Sequence, residues 1–262
     1  ILSKDGQFLP LNWLDGLEGL RSYKTVNTRS APITAASELF SVGDMIRVQR
    51  YPPTSAHTLS RVTLSQLPEA QAAMVALAPG NGGIKALVGG FDYQQSRFNR
   101  VNQATRQPGS NFKPFIYATA LRSGFTAASI INDAPVVFDD SKLEDTWRPE
   151  NDGGKFYGPT RLREALYRSR NLVSIRLLRR MGIDRALEGL QDFGFNTGEM
   201  PLDLSLALGS HALTPLEIAA GYAIFANGGF QVTPHILDKV IDRDGNMIFQ
   251  ATPATVCNPC DK

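Results

Sequence analysis

Residues 107–117 read QPGSNFKPFIY, and the pairing of Ser110 with Lys113 inside this stretch decides how the rest of the chain is read. Pro108-Gly109 is a turn signal, Ser110 is a residue type that starts helices, and an apolar run continues through Ala118, Ala120 and Leu121. The pattern predicts a helix from Phe115 to Leu121, stopped near Gly124, with Pro114 tolerated close to its start. A separation of three puts the hydroxyl and the ammonium on one face, one turn apart. Two readings follow: a capping serine beside a solvated lysine, or a nucleophile beside its base. Ser-x-x-Lys is common by chance, so the choice rests on the remainder of the chain.

The 262 residues, 42% hydrophobic and 20% charged, suit one large globular domain or one large plus one small. With 27 basic against 25 acidic residues there is no electrostatic footprint for nucleic acid. No run of 18 apolar residues exists, so a membrane span and a signal peptide are not expected in these residues. The start at ILSKDGQFLP, without Met, suggests a processed or excised piece. Two cysteines, Cys257 and Cys260, sit near the end, and the three histidines (His57, His211, His235) are scattered, so no metal site is expected. A small local disulfide or two free thiols fit Cys257-Asn-Pro-Cys260 better than a redox pair.

Residues 1–70 read as a small β-rich domain, barrel-like and either complete or incomplete, with strands such as Met45–Val48 and Arg61–Leu64 between turn signals. From 71 the texture changes, and 71–262 reads as a second domain. Residues 72–90, AAMVALAPGNGGIKALVGG, form a hairpin whose paired apolar runs imply burial on both faces, hence helices covering the sheet. Residues 132–160 read as a long loop rich in Asp, Pro and Gly. Helical patterns follow from Thr160, from near Asn171 to Gly182, and from Arg185 to Phe193 with Asp184 as cap. Thr214-Pro-Leu-Glu217 is a capping box with Pro at the first helical position, opening a helix that runs to Ala226. Val232 to Phe249 reads as strands around Asp242-Arg-Asp-Gly245.

The second chemical element is Arg168-Ser-Arg-Asn-Leu172, where Ser169 and Asn171 project from the short connection between two helices. With Ser-x-x-Lys at a helix start after a hairpin, this Ser-x-Asn makes the chain resemble the penicillin-binding proteins, in particular the transpeptidase region of the bifunctional class A enzymes of the 1A type. ALVGGFDY, FNRVNQATRQPGSNFKPFIYATAL, WRPENDGGKFYGP and SLALGSHALTPLEIAAGYAIFANGG carry the same resemblance, closely over residues 71–250 and more loosely before them.

The resemblance implies an α+β fold, an antiparallel sheet flanked by helices as in the serine β-lactamases. It implies a D,D-transpeptidase without cofactor. Ser110 would attack the penultimate D-alanine carbonyl of a peptidoglycan stem peptide, Lys113 would take its proton, Ser169 would relay a proton to the leaving amine, and Asn171 would hold the substrate amide. β-Lactam antibiotics would acylate the same serine. Acyl transfer needs a nucleophile, a base with a lowered pKa and a place for negative charge, and burial beside Phe112 and Phe115 suits a desolvated lysine. The family's third motif, Lys-Thr-Gly, is not in this sequence; Asn196-Thr-Gly198 reads as a loop, and Lys155 lies in the wrong loop. The resemblance therefore implies further strands, a glycosyltransferase domain and a membrane anchor elsewhere in the polypeptide, cell-wall synthesis proteins as partners, and a place on the periplasmic face of the inner membrane. That oxidising setting fits a Cys257–Cys260 bridge. A D,D-carboxypeptidase or β-lactamase, with Glu164 the nearest carboxylate to the second motif, and an acylatable sensor without turnover are the alternatives.

Overall fold

The computed structural model describes residues 1–53, 61–135 and 147–257. The chain divides into two compact units, Ile1–Ala70 and Gln71–Lys262.

The first unit holds two separate antiparallel pairs: β1 (Tyr23–Thr25) with β2 (Thr28–Arg29), and β3 (Val48–Tyr51) with β4 (Arg61–Leu64). β4 coincides with the expected strand, whereas β3 begins at Val48, where the expected one ended. The described residues form no closed barrel. Among the described residues here, only Leu17, Ile33 and Val62 are buried and apolar, too few to draw the two pairs into one sheet.

The second unit opens with the expected hairpin, β5 (Met74–Leu77) and β6 (Ile84–Val88), paired Met74 to Val88 and Val75 to Leu87. Its apolar runs are not buried on both faces. Val75, Leu77 and Leu87 are half-buried, but Met74 and Val88 are 55% and 49% exposed. Helices cover one face only, so the expected two-sided burial is corrected. Beyond β6 the ladder continues briefly, with a parallel bridge from Gly83 to His235.

The turn that carries Ser110 follows. Gly109–Phe112 is a 3-10 turn running directly into α1 (Lys113–Arg122). Ser110 is therefore not a helix cap, and α1 begins at Lys113, two residues earlier than expected. The reason is Pro114. An α-helix would close on the Ser110 carbonyl from residue 114, but proline has no N–H; Lys113 N–H takes that oxygen in an i to i+3 bond instead. In such a turn side chains three apart eclipse, so Ser110 and Lys113 still share a side.

The long segment after α1 is less irregular than its composition suggests. Its ends pair as β7 (Ile130–Asp133) and β8 (Gly158–Arg161), strands that period and composition did not reveal. Then come α2 (Leu162–Tyr167), α3 (Asn171–Met181) and α4 (Ile183–Gln191). Gly182, at φ +92°, separates α3 from α4 and leaves Asp184 inside the first turn rather than at the cap. α1, α3 and α4 pack around Phe115, Ile116, Leu172, Ile175, Leu178 and Leu190, all fully buried. Phe115 sits at the centre of an aromatic cluster, with ring centroids 4.9 Å from Phe195 and 5.1 Å from Phe193.

α5 (Pro215–Ala226) begins at the expected capping box: Thr214 Oγ1 accepts from Glu217 N–H at 3.2 Å, and the Glu217 carboxylate accepts from Thr214 N–H at 2.7 Å. It packs against β5. β9 (Lys239–Ile241) and β10 (Met247–Gln250) form the last hairpin. Cys257 is disulfide-bonded; Cys260, its expected partner, lies outside the described residues.

Candidate active site

Two contacts seat the turn that carries Ser110. Arg106 and Leu213 exchange backbone hydrogen bonds at 3.0 Å each way, tying the approach to the turn to the segment before α5. Gly109 N–H donates to the carbonyl of Gly209 at 3.3 Å. Gly209 has φ +69°, and a Cβ there would stand 2.3 Å from the Gly109 carbonyl oxygen. Only glycine lets these two backbones approach so closely.

Lys113, one helical turn on, is 1% exposed. Its ammonium meets three acceptors: the Ser169 carbonyl at 2.7 Å, Ser169 Oγ at 3.0 Å and Asn171 Oδ1 at 2.7 Å. These come from residues 56 and 58 positions away. Burial pulls the Lys113 pKa down from 10.5 to about 8.

The acceptors depend on the turn between α2 and α3. Ser169 has φ +54°, the only non-glycine residue among those described with positive φ, a conformation that persists only where the surroundings impose it. Asn171 Nδ2 donates to the Glu150 carbonyl at 2.8 Å, which leaves its Oδ1 directed at Lys113. Asn151, buried, contacts the same turn through its own amide.

Exposed Ser110 lies with Ser169, Asn171, Asn151, Asp152, Arg168 and Arg170 around a cleft of about 310 Å³. The four residues singled out from sequence are thus together: Ser110, Ser169 and Asn171 line the cleft, and Lys113 bonds to the last two. A second cavity, about 320 Å³ between α5 and residues 231–234, has no serine, cysteine or lysine in its wall. Sequence reasoning missed Asn151 and Arg170 as site residues. Asn151 reads as a turn former in a Pro- and Gly-rich loop, and nothing local shows that it is buried. Asn196–Gly198 is a turn after α4, where Thr197 Oγ1 accepts from Gln191 Nε2, and it lies outside the cleft wall. Lys155 is exposed; only its carbonyl, accepting from Asn151, connects it to the site.

A model of the penicillin-binding protein transpeptidase domain matches residues 72–258. The chain belongs to the penicillin-binding protein transpeptidase family. It is 46% identical to penicillin-binding protein 1A of Pseudomonas aeruginosa over 98% of this chain and 30% of that protein. With penicillin-binding protein 1A of Escherichia coli the identity is 40%, over 98% of this chain and 29% of that one. The crystal structure of penicillin-binding protein 1A from Haemophilus influenzae superposes with a TM-score of 0.74 at 40% identity, covering 82% of this chain and 31% of that one. The chain therefore has the penicillin-binding transpeptidase fold, helices around small antiparallel sheets. It spans about 30% of the length of the curated relatives it matches. A more distant family member, penicillin-binding protein A of Mycobacterium tuberculosis solved as its imipenem acyl-enzyme, superposes at TM-score 0.62 and 26% identity, over 71% of this chain and 52% of that one. Among the described residues no helix is long and apolar enough to cross a membrane.

Proposed function

We propose that this chain is the acylating part of a serine D,D-transpeptidase that cross-links peptidoglycan stem peptides and is the target of β-lactam antibiotics. The observation that carries the reading is Lys113. It is a buried lysine with its pKa lowered to about 8, held 3.0 Å from a second serine beside the cleft that exposes Ser110.

The chemistry follows from this arrangement. In its neutral form Lys113 has a lone pair to receive the Ser110 proton as Oγ attacks the penultimate D-alanine carbonyl. The Ser110 Oγ–carbonyl bond forms, and the amide C–N bond to the terminal D-alanine breaks. The proton passes from Lys113 through Ser169 Oγ to the leaving amine, which restores neutral Lys113. An amine on a neighbouring stem peptide then attacks the acyl-enzyme, gives up its proton by the reverse route and releases Ser110. Asn171, in contact with Lys113 and facing the cleft, is assigned to the substrate amide. Glu164 is paired with Arg168 at 3.1 Å and lies outside the cleft wall, which gives it no place as the base of a β-lactamase. Placement on the periplasmic face of the inner membrane, a glycosyltransferase domain and cell-wall partner proteins belong to the same proposal and concern the longer protein.

Ser110→Ala in the full-length protein is expected to abolish covalent labelling by fluorescent penicillin while leaving the melting temperature within about 2 °C, since an exposed hydroxyl contributes little packing. Labelling that persists in this variant would refute the assignment of Ser110.

A further inference from the structure

Asn151 lies in the Trp147-Arg-Pro-Glu-Asn-Asp-Gly-Gly154 segment, 5% exposed, and its amide is used at both ends. Its Oδ1 accepts from the N–H of Asn171 at 2.9 Å and of Leu172 at 3.4 Å, the first two residues of α3. Arg170, the N-cap residue of α3, makes no side-chain capping bond of its own. The helix is therefore capped from about 20 residues upstream, by a side chain from another segment. On the other side, Asn151 Nδ2 donates to Asp133 Oδ1 at 2.7 Å and to the Lys155 carbonyl at 2.9 Å. Asp133 is fully buried on β7, and its second oxygen lies 3.9 Å from Arg170 Nε. The Arg170 guanidinium in turn rests 3.4 Å from the centroid of the Tyr157 ring.

These contacts converge on the Ser169–Asn171 turn, whose first and last residues bond to Lys113. Ser169 holds its left-handed backbone between α2 and Arg170; Arg170 is held by Asp133 and Tyr157; Asn171 is held by Asn151 on its backbone and by the Glu150 carbonyl on its side chain. The carbonyl and hydroxyl of Ser169 and the amide oxygen of Asn171 point at one nitrogen only while this turn keeps its shape. A loop about 20 residues upstream thus sets the surroundings of the lysine through the turn it caps.

We propose that Asn151 is a positioning residue for acylation, clamping the Ser169–Asn171 turn against Lys113 and itself held in orientation by buried Asp133. The proposal rests on the reading of Ser110 and Lys113 given above. Without the Asn151 amide, the first N–H groups of α3 lose their acceptor and Asp133 loses its donor. The turn then relaxes, the acceptors leave the Lys113 amine, and water reaches it. A rehydrated lysine returns toward its ordinary, higher pKa, so less of it is neutral at pH 7. The charged groups around the cleft are Asp152 from the loop, Arg168 and Arg170 from the turn, and Asp133 behind Asn151. Asn151→Leu leaves all of them in place.

The test measures acylation of the full-length protein by fluorescent penicillin, separating the fraction of protein labelled from the rate constant. Asn151→Leu is expected to label completely but about 10- to 100-fold more slowly, with the pH midpoint of the rate displaced upward. Asn151→Asp, which sets two carboxylates face to face, is expected to be similarly slow. Asp133→Asn combined with Asn151→Asp restores one carboxylate accepting from α3 and one amide donating to it while giving up the Asp133–Arg170 pair, and is expected to recover part of the rate. Complete labelling of Asn151→Leu at the wild-type rate overturns the proposal. So does a reduced labelled fraction at the wild-type rate and midpoint, the signature of a residue that serves folding alone. Should Asn151→Leu not fold, a folded double variant as slow as Asn151→Asp overturns it. Ser110→Ala, run in parallel, separates the two ideas: labelling that survives in it defeats the reading of the nucleophile, not the role of Asn151.

Discussion

The pH dependence of acylation tests the role of Lys113 most directly. With a pKa of about 8, roughly one molecule in eleven carries neutral Lys113 at pH 7. At the ordinary lysine value of 10.5 the fraction would be about one in 3,000, so burial supplies about 300-fold more base at neutral pH. The rate constant for labelling by fluorescent penicillin, followed by stopped flow in the full-length protein, should rise about tenfold per pH unit below the midpoint. It should then level off above about pH 8, for a total rise of about 50-fold between pH 6 and pH 8. Lys113→Ala should lower the plateau by about 100- to 10,000-fold and remove the inflection. Raising the pH should not rescue this variant, because among the groups lining the cleft none is another lysine or a histidine. A flat profile in the wild type would refute the argument, as would a rise continuing unbroken to pH 10. The first would mean that Lys113 is not the base; the second, that its surroundings do not lower its pKa.

Stability should carry the mirror image of this titration. The folded pKa of Lys113 is the lower one, so the unfolded chain binds more protons between about pH 8 and 10.5. Stability then rises with pH through that window, by about 3 kcal/mol in all, and lies at its lowered value below pH 8. Urea unfolding at pH 7.5 and pH 10 should show this rise in the wild type relative to Lys113→Met; equal pH dependence in both would count against it. Gly209→Ala should displace the Gly109–Phe112 turn, because the added Cβ meets the Gly109 carbonyl at 2.3 Å. Labelling at Ser110 should fall at least tenfold by rough estimate, and wild-type labelling kinetics would contradict the close approach described. Thr214→Ala removes the α5 capping box and should cost about 1 kcal/mol in chemical denaturation, with acylation kinetics unchanged. Leu178→Ala in the fully buried core should cost about 2–5 kcal/mol, and a loss below 1 kcal/mol would show that the core is not packed as described.

The features legible without coordinates lie within a few residues of one another along the chain. The hairpin at 72–90, the span of α3 from Asn171 to the residue before Gly182, and the Thr214–Glu217 capping box were legible because their hydrogen bonds and side-chain periods close within about four positions. Ser110 and Lys113 were legible as a pair for the same reason, and Ser169 with Asn171 through the resemblance their motif carries. Even at this range Pro114 reveals only part of its effect: its tolerance near a helix start is local, whereas the 3-10 turn that removes Ser110 from the cap shows only in the structure. Burial was the first property to escape. The 72–90 runs look two-sided in sequence, yet Met74 and Val88 are exposed, because exposure is set by what packs above a face and not by the face itself. The pairing of β7 with β8, brought together across a long Asp-, Pro- and Gly-rich segment, escaped because no local signal marks a partner strand so far along the chain. Only the tertiary structure brought Ser169 and Asn171 to Lys113 across 56 and 58 residues, and Asn151 to the start of α3. A lysine alone in a sequence has the pKa of a lysine in water. Its pKa falls to about 8 only when folding removes the water around it, and that removal depends on the elements packed against it.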